Sequence, residues 1–130
     1  MKDIRLHNGF IAIVDDDEPL REALGSVLKA AGLSIATFAS AEEFLGSPRR
    51  GEAACLLLDV RLPGMSGVEM QRHLLDGGSS IPVIFVTAHG DAALRDSVMR
   101  AGASGFLNKP VRSDILLAAI QKALGKSATD

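Results

Sequence analysis

Three acidic residues in succession, Asp15, Asp16 and Asp17, follow directly on the apolar run Phe10-Ile-Ala-Ile-Val14. A second apolar run, Cys55-Leu-Leu-Leu58, ends on Asp59. Carboxylates gathered in one place repel: at ~4 Å the cost per pair is roughly 1 kcal/mol in water and about 4 kcal/mol at an effective dielectric of 20. A hard divalent cation offsets that repulsion, and Mg2+ takes oxygen ligands while keeping several waters. A carboxylate can also accept a phosphoryl group covalently. That reaction needs charge neutralisation on the group in transit more than it needs proton transfer. Farther along stand Thr87-Ala88 and Asn108-Lys109-Pro110, which supply a hydroxyl and an ammonium as donors for the oxygens of an acyl phosphate. The chemistry these residue types suit is metal-assisted phosphoryl transfer.

Such residues act together only if the elements before them deliver them to one place. Strand and helix patterns alternate about five times. Strands are expected at 10–14, 34–38, 54–59, 83–86 and 105–108, as short apolar runs bounded by turn or charged residues. Helices are expected at 18–31, with Leu20, Leu24, Val27 and Leu28 on one face and Gly32 as its stop, then at 66–76, 91–101 and 114–124. Ser40-Ala-Glu-Glu43 reads as a capping box for a short helix reaching Leu45. Ser113 reads as the cap of the last helix and Gly125 as its stop. Segments 46–51 and Leu62-Pro-Gly-Met-Ser-Gly67 are loops, with Gly64 and Gly67 read as turn formers. Residues 1–125 then form one domain and 126–130 a tail.

Alternating βα units imply a parallel sheet with right-handed crossovers and helices on both faces. The predicted fold is the flavodoxin-like (βα)5 doubly wound sandwich, strand order 2-1-3-4-5. That order makes the first and third strands neighbours at the switch point, where such sheets bind ligands. It brings Asp15, Asp16 and Asp59 together, with Thr87 and Lys109 arriving on the same rim.

Composition narrows the function. A chain of 130 residues needs no disulfide or metal staple to fold. Its 47% hydrophobic content, with Phe as the sole aromatic, suits a sheet buried on both faces. The net charge of -2, from 14 basic and 16 acidic residues, argues against a nucleic-acid-binding surface, and Arg49-Arg50 reads as a solvated loop. The lone Cys55 excludes an internal disulfide, fits a reducing, cytoplasmic setting, and reads as a buried inert thiol. The start, Met-Lys-Asp-Ile-Arg-Leu-His, lacks the apolar stretch of a signal peptide, and no run reaches membrane-spanning length. His7, His73 and His89 show no mutual ligand spacing.

Four segments resemble the receiver domain of two-component response regulators: Ile13-Val-Asp-Asp-Asp-Glu-Pro-Leu-Arg21, Leu57-Leu-Asp-Val-Arg-Leu-Pro-Gly-Met-Ser-Gly67, Pro82-Val-Ile-Phe-Val-Thr-Ala88 and Ala101-Gly-Ala-Ser-Gly-Phe-Leu-Asn-Lys-Pro110. The resemblance covers essentially the whole chain, and Thr87-Ala-His-Gly-Asp91 looks most like the FixJ/NarL type. It implies that Asp59 accepts a phosphoryl group from the histidine of a sensor kinase. It implies further that Asp15, Asp16, Asp59 and the backbone carbonyl of Arg61 hold Mg2+, that Thr87 and Lys109 bind phosphoryl oxygens, and that Phe106 is the switch aromatic. A cis Lys109-Pro110 bond, a phosphorylation-dependent homodimer through the fourth helix, fifth strand and fifth helix, and tuning of phosphoryl lifetime at Arg61 and His89 are implied as well. DNA contact would come only through an output domain.

Blander readings stand beside these. Acids favour helix N-termini by ~0.3–1 kcal/mol, which accounts for Asp17 or Glu18 but not for a triplet. Phe106 alone is an ordinary core residue. A Mg2+-dependent phosphohydrolase with an aspartyl nucleophile is the alternative, but haloacid-dehalogenase-type phosphatases carry a second Asp two residues after the nucleophile, where this chain has Arg61. A flavin or dinucleotide carrier on the same fold would want glycines and hydroxyls after the first strand, where this chain has Asp-Asp-Asp-Glu-Pro.

Overall fold

The computed structural model describes residues 9–88 and 90–128. In chain order the elements are β1 (Phe10–Val14), α1 (Glu18–Ala30), β2 (Ile35–Phe38), α2 (Ala41–Leu45), β3 (Ala53–Leu58), α3 (Gly67–Asp76), β4 (Val83–Thr87), α4 (Ala92–Arg100), β5 (Gly105–Asn108) and α5 (Ser113–Ala128). The five strands are parallel, as the alternation of patterns predicts, and ordered β2-β1-β3-β4-β5, as the flavodoxin-like fold predicts.

The central strands are apolar throughout because both of their faces are covered. Successive side chains point to opposite faces, so each strand splits its residues between two cores. Phe10, Ala12 and Val14, with Leu56, Leu58, Val83 and Phe85, pack under Phe44, Met70 and Val98 from α2, α3 and α4. Ile11 and Ile13, with Cys55, Leu57, Ile84 and Val86, pack under Leu24, Leu28, Leu116 and Ile120 from α1 and α5.

The ends of the elements show where local chemistry acts. Asp17 caps α1 by accepting from the Leu20 amide at 3.2 Å, Ser66 and Glu69 form a full capping box on α3, and Asp91 caps α4 through the Leu94 amide at 2.8 Å. The capping box expected at α2 is offset by one residue. Ser40 accepts from the Glu43 amide, but Glu43 reaches back to the amide of Ala39. Gly32, Gly78 and Gly102 follow α1, α3 and α4 with φ of +90°, +81° and +110°, a region only glycine enters without strain. Gly125 has no such φ, so α5 passes through it to Ala128 instead of stopping there. Ser113 is likewise the first residue of that helix and not its cap: the Arg112 carbonyl accepts from the Leu116 amide at 3.0 Å. A 3-10 turn at Arg50–Glu52, read from sequence as plain loop, leads into β3.

Candidate acidic metal site

The carboxyl ends of β1 and β3 lie side by side, with Val14 paired to Leu58. Each of the two strands is followed at once by an aspartate, so the register that buries Val14 and Leu58 sets Asp15 and Asp59 next to each other. Both are buried, at 3% and 7% exposure, whereas Asp16 is exposed. Carboxylate oxygens of Asp15, Asp16 and Asp59 all lie within 4.8 Å of one another.

Lys109 enters from the far side. β5 pairs with β4 so that Asn108 stands opposite Thr87, and the Lys109 amide donates to the Thr87 carbonyl at 2.9 Å. The Lys109 ammonium then donates to Asp15 Oδ2 at 2.8 Å and to Asp59 Oδ2 at 2.9 Å. The Lys109-Pro110 bond that follows is cis, as the resemblance implied. Thr87 ends β4 and is completely buried.

The other oxygens are also held. Asp15 Oδ1 accepts from the Asp17 amide at 2.9 Å and Asp59 Oδ1 from the Arg61 amide at 3.2 Å. Burial pushes the Asp15 carboxyl upward, as does the charge of Asp59, and the hydrogen bonds from Lys109 and Asp17 oppose this without reversing it. Burial works against the Lys109 ammonium, but its hydrogen bonds to Asp15 and Asp59 outweigh that and raise it. The ammonium is thus held charged between the two buried acids.

The donor set fits a hard divalent cation. It is all oxygen, and three carboxylates face one ammonium, so negative charge remains in excess. Each carboxylate oxygen has two lone pairs, which leaves Asp15 and Asp59 able to bind a metal while keeping their present partners.

Phe106 lies in β5 opposite Phe85, its ring half-buried and 6.4 Å from the Phe85 ring. It is two residues before Asn108 and packs against the layer under α2, α3 and α4. His89 and His7 lie outside the described residues. His73 is exposed on α3, away from the acidic cluster. Cys55 is buried in the middle of the sheet, and burial pushes its thiol up to about 12.

Three residues around the site escaped sequence reading. Arg21 on α1 donates to the backbone carbonyl of Asp15 at 2.7 Å. Its partner lies six positions back and outside the helix, so the i,i+4 spacing that points to helical side-chain pairs could not have found it. Gly67 was read as a turn former, but its φ is not positive. A methyl group there would strike the backbone carbonyl of Asp59, so the requirement is for close approach. Gly90 has the same character, because a methyl there would meet the Phe106 ring at 2.5 Å and Asn108 Oδ1 at 2.7 Å.

A doubly wound sheet with three carboxylates clustered at its carboxyl rim and a lysine bridging two of them is consistent with a divalent-cation site on a receiver-type fold. The chain belongs to the response regulator receiver domain family of two-component systems, whose model matches residues 11–121. The response regulator protein TodT of Pseudomonas putida F1 is 46% identical over 114 residues, which cover 88% of this chain and 50% of that protein. The transcriptional regulatory protein FixJ of Azorhizobium caulinodans is 37% identical over 118 residues, covering 91% of this chain and 56% of that one. Among solved structures, the response regulator StyR superposes with a TM-score of 0.86 at 42% identity over 94% of this chain and 62% of that chain. FixJ-N does so with a TM-score of 0.82 at 37% identity over 92% and 96%. The chain thus spans about half the length of the curated relatives it matches. Those relatives are signalling and transcriptional regulators. Among the described residues no helix is long and apolar enough to cross a membrane.

Proposed function

We propose that Asp59 is the phosphoryl acceptor of this receiver domain, charged by the phosphohistidine of a sensor histidine kinase. The observation that carries this reading is the convergence of Asp15, Asp16 and Lys109 on Asp59. A carboxylate oxygen of Asp59 attacks phosphorus in line. The phosphorus–nitrogen bond breaks and its electron pair returns to the imidazole of the kinase, leaving an acyl phosphate. Asp15, Asp16, Asp59 and the backbone carbonyl of Arg61 would hold Mg2+, which supplies charge neutralisation for the transferring group. Lys109, held charged at 2.9 Å from Asp59, follows the phosphoryl oxygens as they arrive. Thr87 offers its hydroxyl to another of them. The chain assists only its own phosphorylation and dephosphorylation.

Phosphorylation then acts on the surface of α4, β5 and α5 through Thr87 and Phe106, and a second copy of the chain docks there. DNA is reached only through an output domain outside this one, whose last helix passes the expected boundary at 125 and runs to Ala128. The site of action is the cytoplasm.

Incubation with acetyl phosphate and Mg2+ should add one phosphoryl group by intact mass. Omitting the metal or replacing Asp59→Asn should abolish it. Labelling that persists in the Asn variant would assign the acceptor elsewhere.

A further inference from the structure

The loop that leaves β3 carries Arg61 and runs into α3 at Gly67. Its root is closed twice: the Gly67 amide donates to the Val60 carbonyl at 2.9 Å, and Gly67 lies against the Asp59 backbone. The far end of the loop is held from another element. Glu42, in the first turn of α2, accepts from the amide of Met65 at 2.7 Å, across 23 positions of sequence. Its carboxylate fills the space beside Gly64, where a methyl group would meet Oε2 at 2.5 Å and both Cδ and Oε1 at 3.2 Å. Gly64 has φ of +74°, so the turn is shaped by glycine to receive the carboxylate. That hydrogen bond is also the main reason the Glu42 carboxyl lies below its ordinary range. Glu43, the next residue, serves α2 itself by accepting from Ala39 at 2.6 Å. The helix has only five residues, and its two adjacent acids divide the work, one turned inward on the helix and one outward to the loop.

We propose that Glu42 is a positioning residue for the metal site. It pins the loop that follows Asp59 and so fixes the Arg61 backbone as a cation ligand. This rests on the reading of Asp15, Asp16, Asp59 and the Arg61 carbonyl as that site. With Glu42 in place, the arc from Val60 to Gly67 is restrained at both root and tip. Without it, the tip keeps only the packing of Leu62 and Met65 and the cap at Ser66, and the Arg61 carbonyl is ordered in part at the expense of cation affinity. The contact is made by a carboxylate oxygen to an N–H, so an amide oxygen at the same position can replace it and a methyl cannot.

The test compares Glu42→Ala, Glu42→Gln and wild type, each as the full chain without phosphoryl donor. Mg2+ binding is followed by titration calorimetry, and the Met65 amide by nitrogen–proton NMR. Partners bonded directly to a metal ligand are worth about tenfold or more in affinity, and Glu42 acts one step farther out through Met65, so Glu42→Ala is expected to bind Mg2+ several-fold more weakly, with the Met65 amide proton shifted upfield. Glu42→Gln is expected to stay near wild type in both. An alanine variant that binds as tightly as wild type, or a glutamine variant as weak as alanine, would overturn the proposal. A wild type that binds no Mg2+ would instead refute the site reading on which it rests, and the Met65 shift would still report whether Glu42 holds the loop.

Discussion

Gly67 and Gly125 make opposite demands although both are glycines in helices. A side chain at Gly67 runs into the Asp59 carbonyl, and the backbone there cannot yield without moving Asp59. Gly67→Ala should therefore lower stability by ~1–3 kcal/mol, the usual cost of overpacking, and weaken Mg2+ binding with it. Gly125 has open space around it, so Gly125→Ala should raise stability by about 0.4–1 kcal/mol through a less disordered unfolded chain. Thermal melts of the two variants check the pair. Cys55 gives a third test at this scale. Its folded thiol is raised from 9.0 to about 12 by burial, so the unfolded chain loses the proton first. The neutral thiol's contribution to stability is full below pH 9.0 and is lost as the pH rises toward about 12. Wild type should lose stability relative to Cys55→Ala across that window. At neutral pH the native thiol should react slowly with thiol reagents and quickly in denaturant, and rapid native labelling would place Cys55 at an exposed strand end.

At the scale of elements, the coupling of interest runs from β4 to β5 and α4. Thr87 ends β4, Phe106 sits in β5, and Gly90 gives the Phe106 ring its room. A Thr87 hydroxyl drawn to the phosphoryl group vacates space that a phenyl ring can fill without leaving a hydrogen bond unmade. Thr87→Ala should still accept a phosphoryl group on Asp59 but lose most of the response at the face of α4, β5 and α5. NMR shifts around Ala101–Phe106 with and without beryllofluoride read it out, and equal shifts in mutant and wild type would sink it. The elements themselves were legible because apolar period and helix stops are local signals. A parallel sheet followed from the alternation of β and α, whereas the strand order, and with it the meeting of Asp15 with Asp59, followed from reading the chain as flavodoxin-like, since alternation also allows other doubly wound orders. What stayed hidden depends on distance in three dimensions. The offset cap at Glu43 and the end of α5 turn on single φ values and one hydrogen bond. The roles of Gly67 and Gly90 turn on what lies across from them, and nothing in a glycine's neighbours in sequence announces that.

For the whole molecule, the clustered carboxylates of the acidic site are a local liability that a bound cation would relieve. A ligand that binds only the folded state at ~100 times its dissociation constant adds about 2.7 kcal/mol, which for a domain of this size raises the thermal midpoint by on the order of 10 °C. Asp16 is exposed while its two companions are buried, so it can be neutralised without opening the core. Asp16→Asn should stabilise the metal-free protein and remove the Mg2+ shift, and a variant that still responds like wild type would mean Asp16 is no ligand. Calorimetry suits the measurement, because the chain has no Trp or Tyr. The sheet also parts the interior into two packed layers that share only its backbone, with Leu28 on one side and Met70 on the other. Truncating either to Ala costs ~2–5 kcal/mol. Because the two side chains belong to separate layers, the double variant should lose the sum of the single losses to within about 0.5 kcal/mol. The β-sheet would then act as a bulkhead between its middle parts: a cavity opened under α2 and α3 is felt little under α1, whereas α4 and α5 both flank the edge strand β5 and can still communicate around it.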